Sequence, residues 1–270
     1  MNPSDRLLRV MEYLMAAGPE PVKQVDIAYD LGISSATLNR IIRVLSDYGY
    51  LFRTSARFVV PNFRLVKNVP MSATYLEVLD EVMEEITAKY RVFSEAVVIR
   101  GQDLFWHSRT NLDPPPVAIR AKAGFRRPLY EMDAMSRLYL ARLGWDYIDY
   151  QFNVRSFHDN SAGLAPYTPE HARTLVEETT GKDFDWDFEG NRVGLRRFAM
   201  VIEDLDGNFL HFLTMAEAAT PVPLPDREKR IATYRSVLEG ARARLVAVME
   251  SERQKGHILH PANHTGAVSV

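Results

Sequence analysis

Residues 34–45 carry the polar side chains whose types and spacing best fit a chemical task. The apolar positions recur at helical spacing and form one stripe: Leu38, Ile41, Ile42 and Leu45. The polar and basic positions point away from that stripe: Thr37, Asn39, Arg40 and Arg43. Amide and guanidinium groups hydrogen-bond to base edges, and guanidinium groups also pair with phosphates. The spacing therefore predicts a helix with the size and polarity to lie in the major groove of DNA.

A shorter helix is predicted just before this one. Val25, Ala28 and Leu31 mark it, and it ends at Gly32, which can adopt the positive φ of a C-terminal cap. Ser34 or Ser35 is placed to cap the second helix through its hydroxyl. Two short helices joined by a tight turn with glycine are typical of a helix-turn-helix. The alternative is a plain helical hairpin within a larger α domain.

Two short alternating segments follow, at residues 50–53 and 57–60, and they predict a hairpin around residues 54–56. Together with a first helix over residues 4–17, this pattern predicts a winged helix. Arg53 and Arg57 on the wing are expected to contact phosphate or the minor groove, which positions a protein without reading sequence. The alternative for both arginines is solvated surface charge.

The remainder of the chain predicts a second domain with mixed secondary structure. The first predicted helix of this part begins at Ser72, and three further helices are predicted over residues 132–143, 169–181 and 226–250. The predicted strands span residues 92–99, 104–109, 117–122, 195–202 and 209–215. Residues 92–250 are therefore expected to form an α+β domain, with helices packed on an antiparallel sheet.

No catalytic residue, metal ligand or cofactor motif emerges from the sequence. The phosphate-binding, nucleophile-elbow and zinc-protease motifs are all missing. His257, His260 and His264 form a close set in a polar C-terminal segment, for which a solvated tail is the favoured interpretation and a metal-binding tail the alternative. The acidic run 183–189 alternates with Phe184, Trp186 and Phe188, which fits a strand with one buried face better than a calcium loop. An enzyme is the weaker hypothesis.

Composition is consistent with a cytoplasmic protein that binds a polyanion at one end. The 270 residues include no cysteine, and no run of about 18 apolar residues predicts a membrane span. Residues 1–70 carry nine Lys/Arg against six Asp/Glu, whereas the remainder carries 24 against 29. A basic N-terminal end on an acidic body is the charge distribution expected of a nucleic-acid-binding protein.

Several segments together resemble the IclR family of bacterial transcriptional regulators. In the N-terminal part they are residues 26–34 (DIAYDLGIS), 37–45 (TLNRIIRVL) and 49–51 (GYL). In the C-terminal part they are residues 123–130 (AGFRRPLY) and 193–202 (VGLRRFAMVI), followed by the arginine-rich last helix. The order and spacing of both sets make the resemblance more specific than the winged helix alone.

The resemblance implies a winged helix-turn-helix over residues 1–66, a linker helix over 67–91, a GAF-like effector domain over 92–251 and a disordered tail over 252–270. The implied partners are double-stranded operator DNA, a small organic effector such as a carboxylate or aromatic compound, and further copies of the chain in a dimer or tetramer. The operator-reading positions are Ser35, Ala36, Thr37, Asn39, Arg40 and Arg43. The effector-binding positions are Ala134, Met135, Asp187, Arg197 and Thr214.

Arg197 departs from the family pattern, in which a small residue or cysteine is expected on this strand. One interpretation is a charged pocket in which Arg197 makes a bidentate pair with a ligand carboxylate. The alternative is that Arg197 pairs with Asp187 or a glutamate and closes the pocket. The sequence leaves both open, together with the operator, the sign of regulation and the ligand. A small-acid enzyme with a vestigial winged helix remains the alternative for the whole chain.

Overall fold

The chain forms two compact units, residues 1–67 (unit 1) and 68–270 (unit 2). The computed structural model describes residues 2–16, 21–55, 57–62, 72–113, 115, 121–160 and 164–254. Each unit has its own apolar core. Among the described residues, no helix combines the length and the apolar character that a bilayer crossing requires.

Unit 1 is a winged helix, as predicted. Its elements are α1 (Pro3–Ala16), β1 (Val22–Lys23), α2 (Gln24–Asp30), α3 (Ser35–Asp47), β2 (Leu51–Arg53) and β3 (Phe58–Pro61). The strands form an antiparallel sheet in the order β1-β3-β2. The core joins Val10 and Leu14 of α1 to Ile27 of α2, Ile42 of α3 and Val59 of β3. Strand β1 was not predicted, since two residues carry no alternation and form a strand only by pairing with β3.

Unit 2 is an α+β domain around one antiparallel sheet, again as predicted. It begins with α4 (Ala73–Tyr90), β4 (Phe93–Arg100), β5 (Asp103–Arg109) and β6 (Arg126–Pro128). Helices α5 (Ala134–Leu143), α6 (Trp145–Gln151) and α7 (Pro169–Thr179) follow, with a 3-10 turn at Val154–Ser156. The last elements are β7 (Phe184–Asp187), β8 (Leu195–Glu203), β9 (Phe209–Ala218) and α8 (Leu224–Gln254). The strand order is β6-β5-β4-β9-β8-β7.

The two faces of this sheet are covered by different helices. Residues of α4 and α8 pack with one set of strand side chains into the larger core of unit 2. Residues of α5, α6 and α7 pack with the opposite set, which includes Val97, Trp106, Ala199 and Phe212. Alternation along each strand therefore decides which core a side chain joins. Helix α4, predicted as a linker helix, contributes Leu79 and Met83 to the core it shares with α8.

The structure differs from the sequence predictions in several elements. Of the strand predicted at 117–122, residues 117–120 lie outside the described residues, and residues 121–122 are not in a strand. The edge strand is instead β6, whose short charged sequence has no apolar alternation to reveal it. The 3-10 turn lies within the stretch around 153–168 that the polar sequence predicted as a loop, and helix α6, which was not predicted, ends just before it.

Two further predictions were wrong in part. Trp186 is 37% exposed, because β7 forms one edge of the sheet and only Phe184 and Phe188 turn into the core. Residues 252–254 belong to α8 rather than to a disordered tail. Glu252 is buried there and accepts a hydrogen bond from Ser72, the residue that also caps α4. The histidines at 257, 260 and 264 lie outside the described residues.

A buried histidine couples α4 to the sheet and predicts a pH dependence of stability. His211 is fully buried, with its Nε2 2.8 Å from the Tyr75 hydroxyl. Burial lowers the pKa of His211 to about 4, whereas an unfolded histidine titrates near 6.5. Between pH 6.5 and about 4, this histidine is therefore protonated in the unfolded state but neutral in the folded state. The unfolding free energy decreases as the pH is lowered through this range. We expect a loss of about 2 kcal/mol between pH 6.5 and 4.5 from this residue.

The measurement is urea denaturation of the wild type and His211→Gln across that pH range. Glutamine keeps a polar partner for Tyr75 but does not titrate. The variant should therefore lose about 2 kcal/mol less than the wild type on acidification. Parallel pH profiles for the two proteins would contradict this assignment.

Candidate functional site

The N-terminus of α3 is built by local interactions. Gly32 takes φ +60°, which a glycine adopts without strain, and the chain then turns into α3. The Ser34 hydroxyl accepts a hydrogen bond from the Thr37 amide at 3.2 Å, so Ser34 is the cap rather than Ser35. The same hydroxyl lies 2.9 Å from the hydroxyl of Thr37. These bonds set the direction in which α3 leaves the turn.

Removing this cap should weaken unit 1. Ser34→Ala leaves the Thr37 amide without its partner, and we expect a loss of about 1 kcal/mol in the unfolding free energy. The measurement is urea denaturation followed by circular dichroism. Ser4→Ala, which removes an exposed hydroxyl in the first turn of α1, is the control and should cost less than half as much. Equal losses in the two variants would argue against a structural role for the cap.

Helix α3 presents the predicted polar face to solvent. Its opposite face buries Leu38, Ile42 and Leu45 in the core of unit 1. Five of the six residues that the sequence assigned to operator reading lie on the other side and are exposed: Ser35, Ala36, Asn39, Arg40 and Arg43. The sixth, Thr37, is half-buried. The hydroxyl of Thr37 is directed back to Ser34, so its hydrogen-bonding capacity is partly used within the cap.

A cleft of about 540 Å³ lies beside this helix. It is lined by residues from β1, α2, α3 and the wing: Lys23, Gln24, Val25, Ser35, Leu38, Asn39, Arg57 and Phe58. Arg57 and Arg53 of the wing are both exposed. Lys23 reaches the cleft because β1 pairs with β3, with Lys23 opposite Phe58. Sequence reasoning missed Lys23 and Gln24, since that pairing joins residues 35 positions apart.

Four of the five predicted effector positions come together in unit 2, next to one residue that was not predicted. Adjacent strands place Asp187 opposite Arg197, and Thr214 opposite Glu95. Glu95, Asp187, Arg197 and Thr214 together are called the polar row, and they lie on the sheet face covered by α5 and α7. Asp187 also accepts a hydrogen bond from the amide of Ala134 at the start of α5, at 2.9 Å.

Met135 is the exception. Its side chain is fully buried in the apolar core between the sheet and helices α5 to α7. Ala134 is equally buried and meets the polar row through its backbone amide.

Glu95 and Arg197 form a buried bidentate ion pair in the polar row. Arg197 Nε donates to Glu95 Oε2 at 2.7 Å, and Nη2 donates to Oε1 at 3.1 Å. The Thr214 hydroxyl donates to Glu95 Oε2 at 2.9 Å. Burial alone raises the pKa of Glu95, but the charge and hydrogen bonds of Arg197, with the side chains of Trp106 and Thr214, outweigh it and lower that pKa. Arg197 therefore pairs with a glutamate, the second of the two interpretations drawn from the sequence.

A second buried arginine lies beside this pair. The guanidinium groups of Arg127 and Arg197 lie 5.5 and 5.3 Å from the ring centre of Trp106. Burial and the charge of Arg197 lower the pKa of Arg127 to about 10. Arg127 makes its own ion pair with Asp133, the residue that caps α5. Glu95 was missed as a site residue, although a glutamate inside the apolar strand sequence SEAVVI is a detectable signal.

The acidic run 183–189 is used for ion pairs. Asp183 pairs with Arg242, Asp185 and Asp187 pair with Arg137, and Glu189 pairs with Arg227. Among the described residues, no group of three or more metal-ligating side chains is positioned to hold a metal ion.

Known proteins resemble this chain both in the sequence of its N-terminal domain and in the fold of most of its length. The model of the IclR helix-turn-helix domain matches residues 4–55. A protein from Rhodococcus sp. described as an IclR-family regulator has a TM-score of 0.63 at 17% identity, covering 91% of this chain and 92% of its own. The IclR of Thermotoga maritima has a TM-score of 0.52 at 15% identity, with 91% and 97% covered.

An IclR homolog from Microbacterium hydrocarbonoxydans, solved in complex with 4-hydroxybenzoate, has a TM-score of 0.52 at 17% identity and covers 91% of this chain and 100% of its own. At these identities the likeness shows a shared fold. A comparison with curated proteins returns no match. Residues 4–55 are therefore an IclR-type helix-turn-helix domain, in a chain that has the fold of the IclR transcriptional regulators.

Proposed function

We propose that this chain is a sequence-specific DNA-binding transcriptional regulator whose operator binding responds to a small organic effector. The observation that carries the proposal is the exposed polar face of α3 within an IclR-type helix-turn-helix domain. Asn39, Arg40 and Arg43 supply amide and guanidinium donors suited to base edges in the major groove. Arg53 and Arg57, with Lys23 in the adjacent cleft, supply positive charge suited to phosphates.

The effector site of this proposal is the polar row with the N-terminus of α5. The resemblance implies Ala134, Met135, Asp187, Arg197 and Thr214 as its positions, of which Met135 belongs to the adjoining apolar core and Arg197 is paired with Glu95. The ligand class is an aromatic or carboxylate compound, in keeping with the 4-hydroxybenzoate bound to the Microbacterium homolog. An effector that binds one conformation of unit 2 more tightly shifts the population of that conformation, and linkage transmits the shift to DNA binding.

The chain is proposed to act in the cytoplasm as a dimer or tetramer. Two winged helices in one oligomer would contact half-sites about one helical turn apart, or a multiple of it. Whether the effector weakens or strengthens operator binding follows from which conformation it selects.

A fluorescence-anisotropy titration tests the DNA-binding part. The protein is titrated against DNA from upstream of its own coding sequence and against a scrambled fragment, over a series of salt concentrations. We expect tighter binding to the native fragment, with a preference that persists as salt rises. Equal, weak and steeply salt-dependent binding to both fragments reflects phosphate attraction alone and would refute operator recognition.

A thermal-unfolding screen tests the effector part. Aromatic acids, aromatic alcohols and aliphatic acids are each added to the full chain, and any stabilising compound is carried into the anisotropy titration. A ligand that binds only the folded state raises the unfolding midpoint. A compound that both raises the midpoint and changes DNA affinity identifies the effector class. Stabilisation without any change in DNA affinity contradicts the regulatory link.

A further inference from the structure

The buried pair of the polar row has the geometry of a bound carboxylate ligand. Both oxygens of Glu95 accept from the guanidinium of Arg197, and the Thr214 hydroxyl completes the contacts. Glu95 and Thr214 are fully buried, and Arg197 is 4% exposed. A carboxylate held by an arginine fork and a hydroxyl is a common way for a protein to recognise a small organic acid. Here the carboxylate belongs to the protein.

The surroundings favour a negative charge at this position. Arg127 and Arg197 both lie within 5.5 Å of the Trp106 ring centre, and the charge of Arg197 acts on Arg127 and lowers its pKa. Asp133 pairs with Arg127, and Glu95 is the carboxylate that pairs with Arg197. Two buried guanidinium groups without both carboxylates would carry a large desolvation and repulsion penalty. The Glu95 carboxylate therefore supplies the negative charge with which the buried guanidinium of Arg197 forms its ion pair.

We propose that Glu95 is a built-in carboxylate ligand of the effector site, and that it excludes small monocarboxylates from Arg197 in the wild-type protein. The proposal rests on the proposed function only in naming the polar row as the effector site. Glu95 is attached to strand β4, so it loses no translational freedom on pairing, whereas a free acid does. An external acid must therefore compete with a carboxylate that is always present at the site. In the wild type the guanidinium of Arg197 is therefore held by Glu95 and is not available to an external carboxylate.

Chemical rescue by acetate tests this assignment directly. Glu95→Ala removes a CH2–COO⁻ group, which has the size and charge of acetate, and leaves Arg197 without its carboxylate. We expect 100 mM sodium acetate to raise the unfolding midpoint of this variant by about 3–5 °C, relative to sodium chloride at the same ionic strength. The wild type should shift by less than about 1 °C, because Glu95 already fills the position.

Three controls separate specific binding from general salt effects. Acetamide, which has the shape of acetate without its charge, should not stabilise Glu95→Ala. Glu95→Gln fills the position with a neutral side chain and should not respond to acetate. Glu95→Ala combined with Arg197→Met removes the fork and should lose the response while tolerating the loss of the pair. If Glu95→Ala is unfolded on purification, the comparison is made on refolding from urea, where acetate and not acetamide should restore the helical signal.

Each outcome decides for or against the built-in ligand. A saturable response to acetate in Glu95→Ala that depends on Arg197 supports it. No response in that variant, or an equal response in the wild type, overturns it. The same proteins are then titrated with DNA, where acetate should change the affinity of Glu95→Ala at least threefold and that of the wild type less than twofold. Acetate binding without this DNA effect leaves the built-in ligand standing and counts against the effector link of the proposed function.

Discussion

The variant Arg40→Ala/Arg43→Ala is expected to lose about 100-fold or more in affinity for the native upstream DNA while keeping its fold. Both side chains are exposed on the polar face of α3, so their truncation leaves the core residues Leu38, Ile42 and Leu45 untouched. A bidentate arginine contact to guanine contributes about 1–3 kcal/mol of discrimination, and a phosphate contact adds affinity for any sequence. Surface truncations of this kind change stability by less than about 0.5 kcal/mol.

The measurement is the anisotropy titration on native and scrambled fragments over a salt series, with thermal unfolding as a check on the fold. Lys182→Ala/Lys229→Ala is the matched control, since it removes the same charge from exposed positions of unit 2. It should bind DNA within about threefold of the wild type, because neither lysine belongs to the unit that carries α3 and exposed charges that do not contact DNA are screened by salt. If both double variants weaken binding equally, net charge rather than α3 determines affinity.

Arg197→Met is expected to destabilise unit 2 by about 3–5 kcal/mol and to lower the unfolding midpoint by about 10 °C. The substitution leaves the Glu95 carboxylate fully buried without its cationic partner. Replacing both members by uncharged side chains of similar size avoids the unpaired charge. Glu95→Gln/Arg197→Met should therefore recover most of the lost stability. A double variant no more stable than Arg197→Met would contradict the view that the buried charge is the cause.

Acidification should reduce the difference in unfolding free energy between Arg197→Met and the wild type. In the wild type the pKa of Glu95 is lowered, so its stabilising contribution is present above the ordinary pKa of a glutamate and is lost as pH falls. Without Arg197, burial is the dominant influence and raises that pKa above its ordinary value. The folded variant then takes up a proton more readily than the unfolded chain and gains stability as pH falls from 7 to 5. Urea denaturation at pH 7, 6 and 5 measures the difference; a gap that widens with acid is incompatible with this account.

The sequence was most informative where structure depends on neighbours along the chain. The apolar stripe of α3, its Ser34 cap and the turn at Gly32 involve residues three or four positions apart, so their spacing alone predicts helix, boundary and exposed face. The strands β4, β8 and β9 of unit 2 are marked instead by runs of mostly apolar residues, because helices cover both faces of the sheet and bury these strands along most of their length. The exposed positions of Arg40 and Arg43 follow from periodicity without any knowledge of the tertiary fold.

Only the tertiary structure decided which distant residues meet. Glu95 and Arg197 are 102 positions apart, and they pair because β4 lies beside β9, and β9 beside β8, in one particular register. A shift of one residue in either strand would turn their side chains to opposite faces. The sequence therefore left open whether Arg197 faces a ligand or a glutamate.

The edges of the sheets show the same limit. Strand β1 forms by pairing with β3 and brings Lys23 to the cleft beside α3, although its two residues carry no pattern of their own. Trp186 is partly exposed because β7 ends the sheet, which no alternation along 183–189 reveals. Local periodicity in this protein determines the helices, the strands and their faces, whereas strand order and register determine its charged site. The reason is that backbone pairing joins segments that are far apart in the sequence, and the local pattern of a segment does not specify its partner.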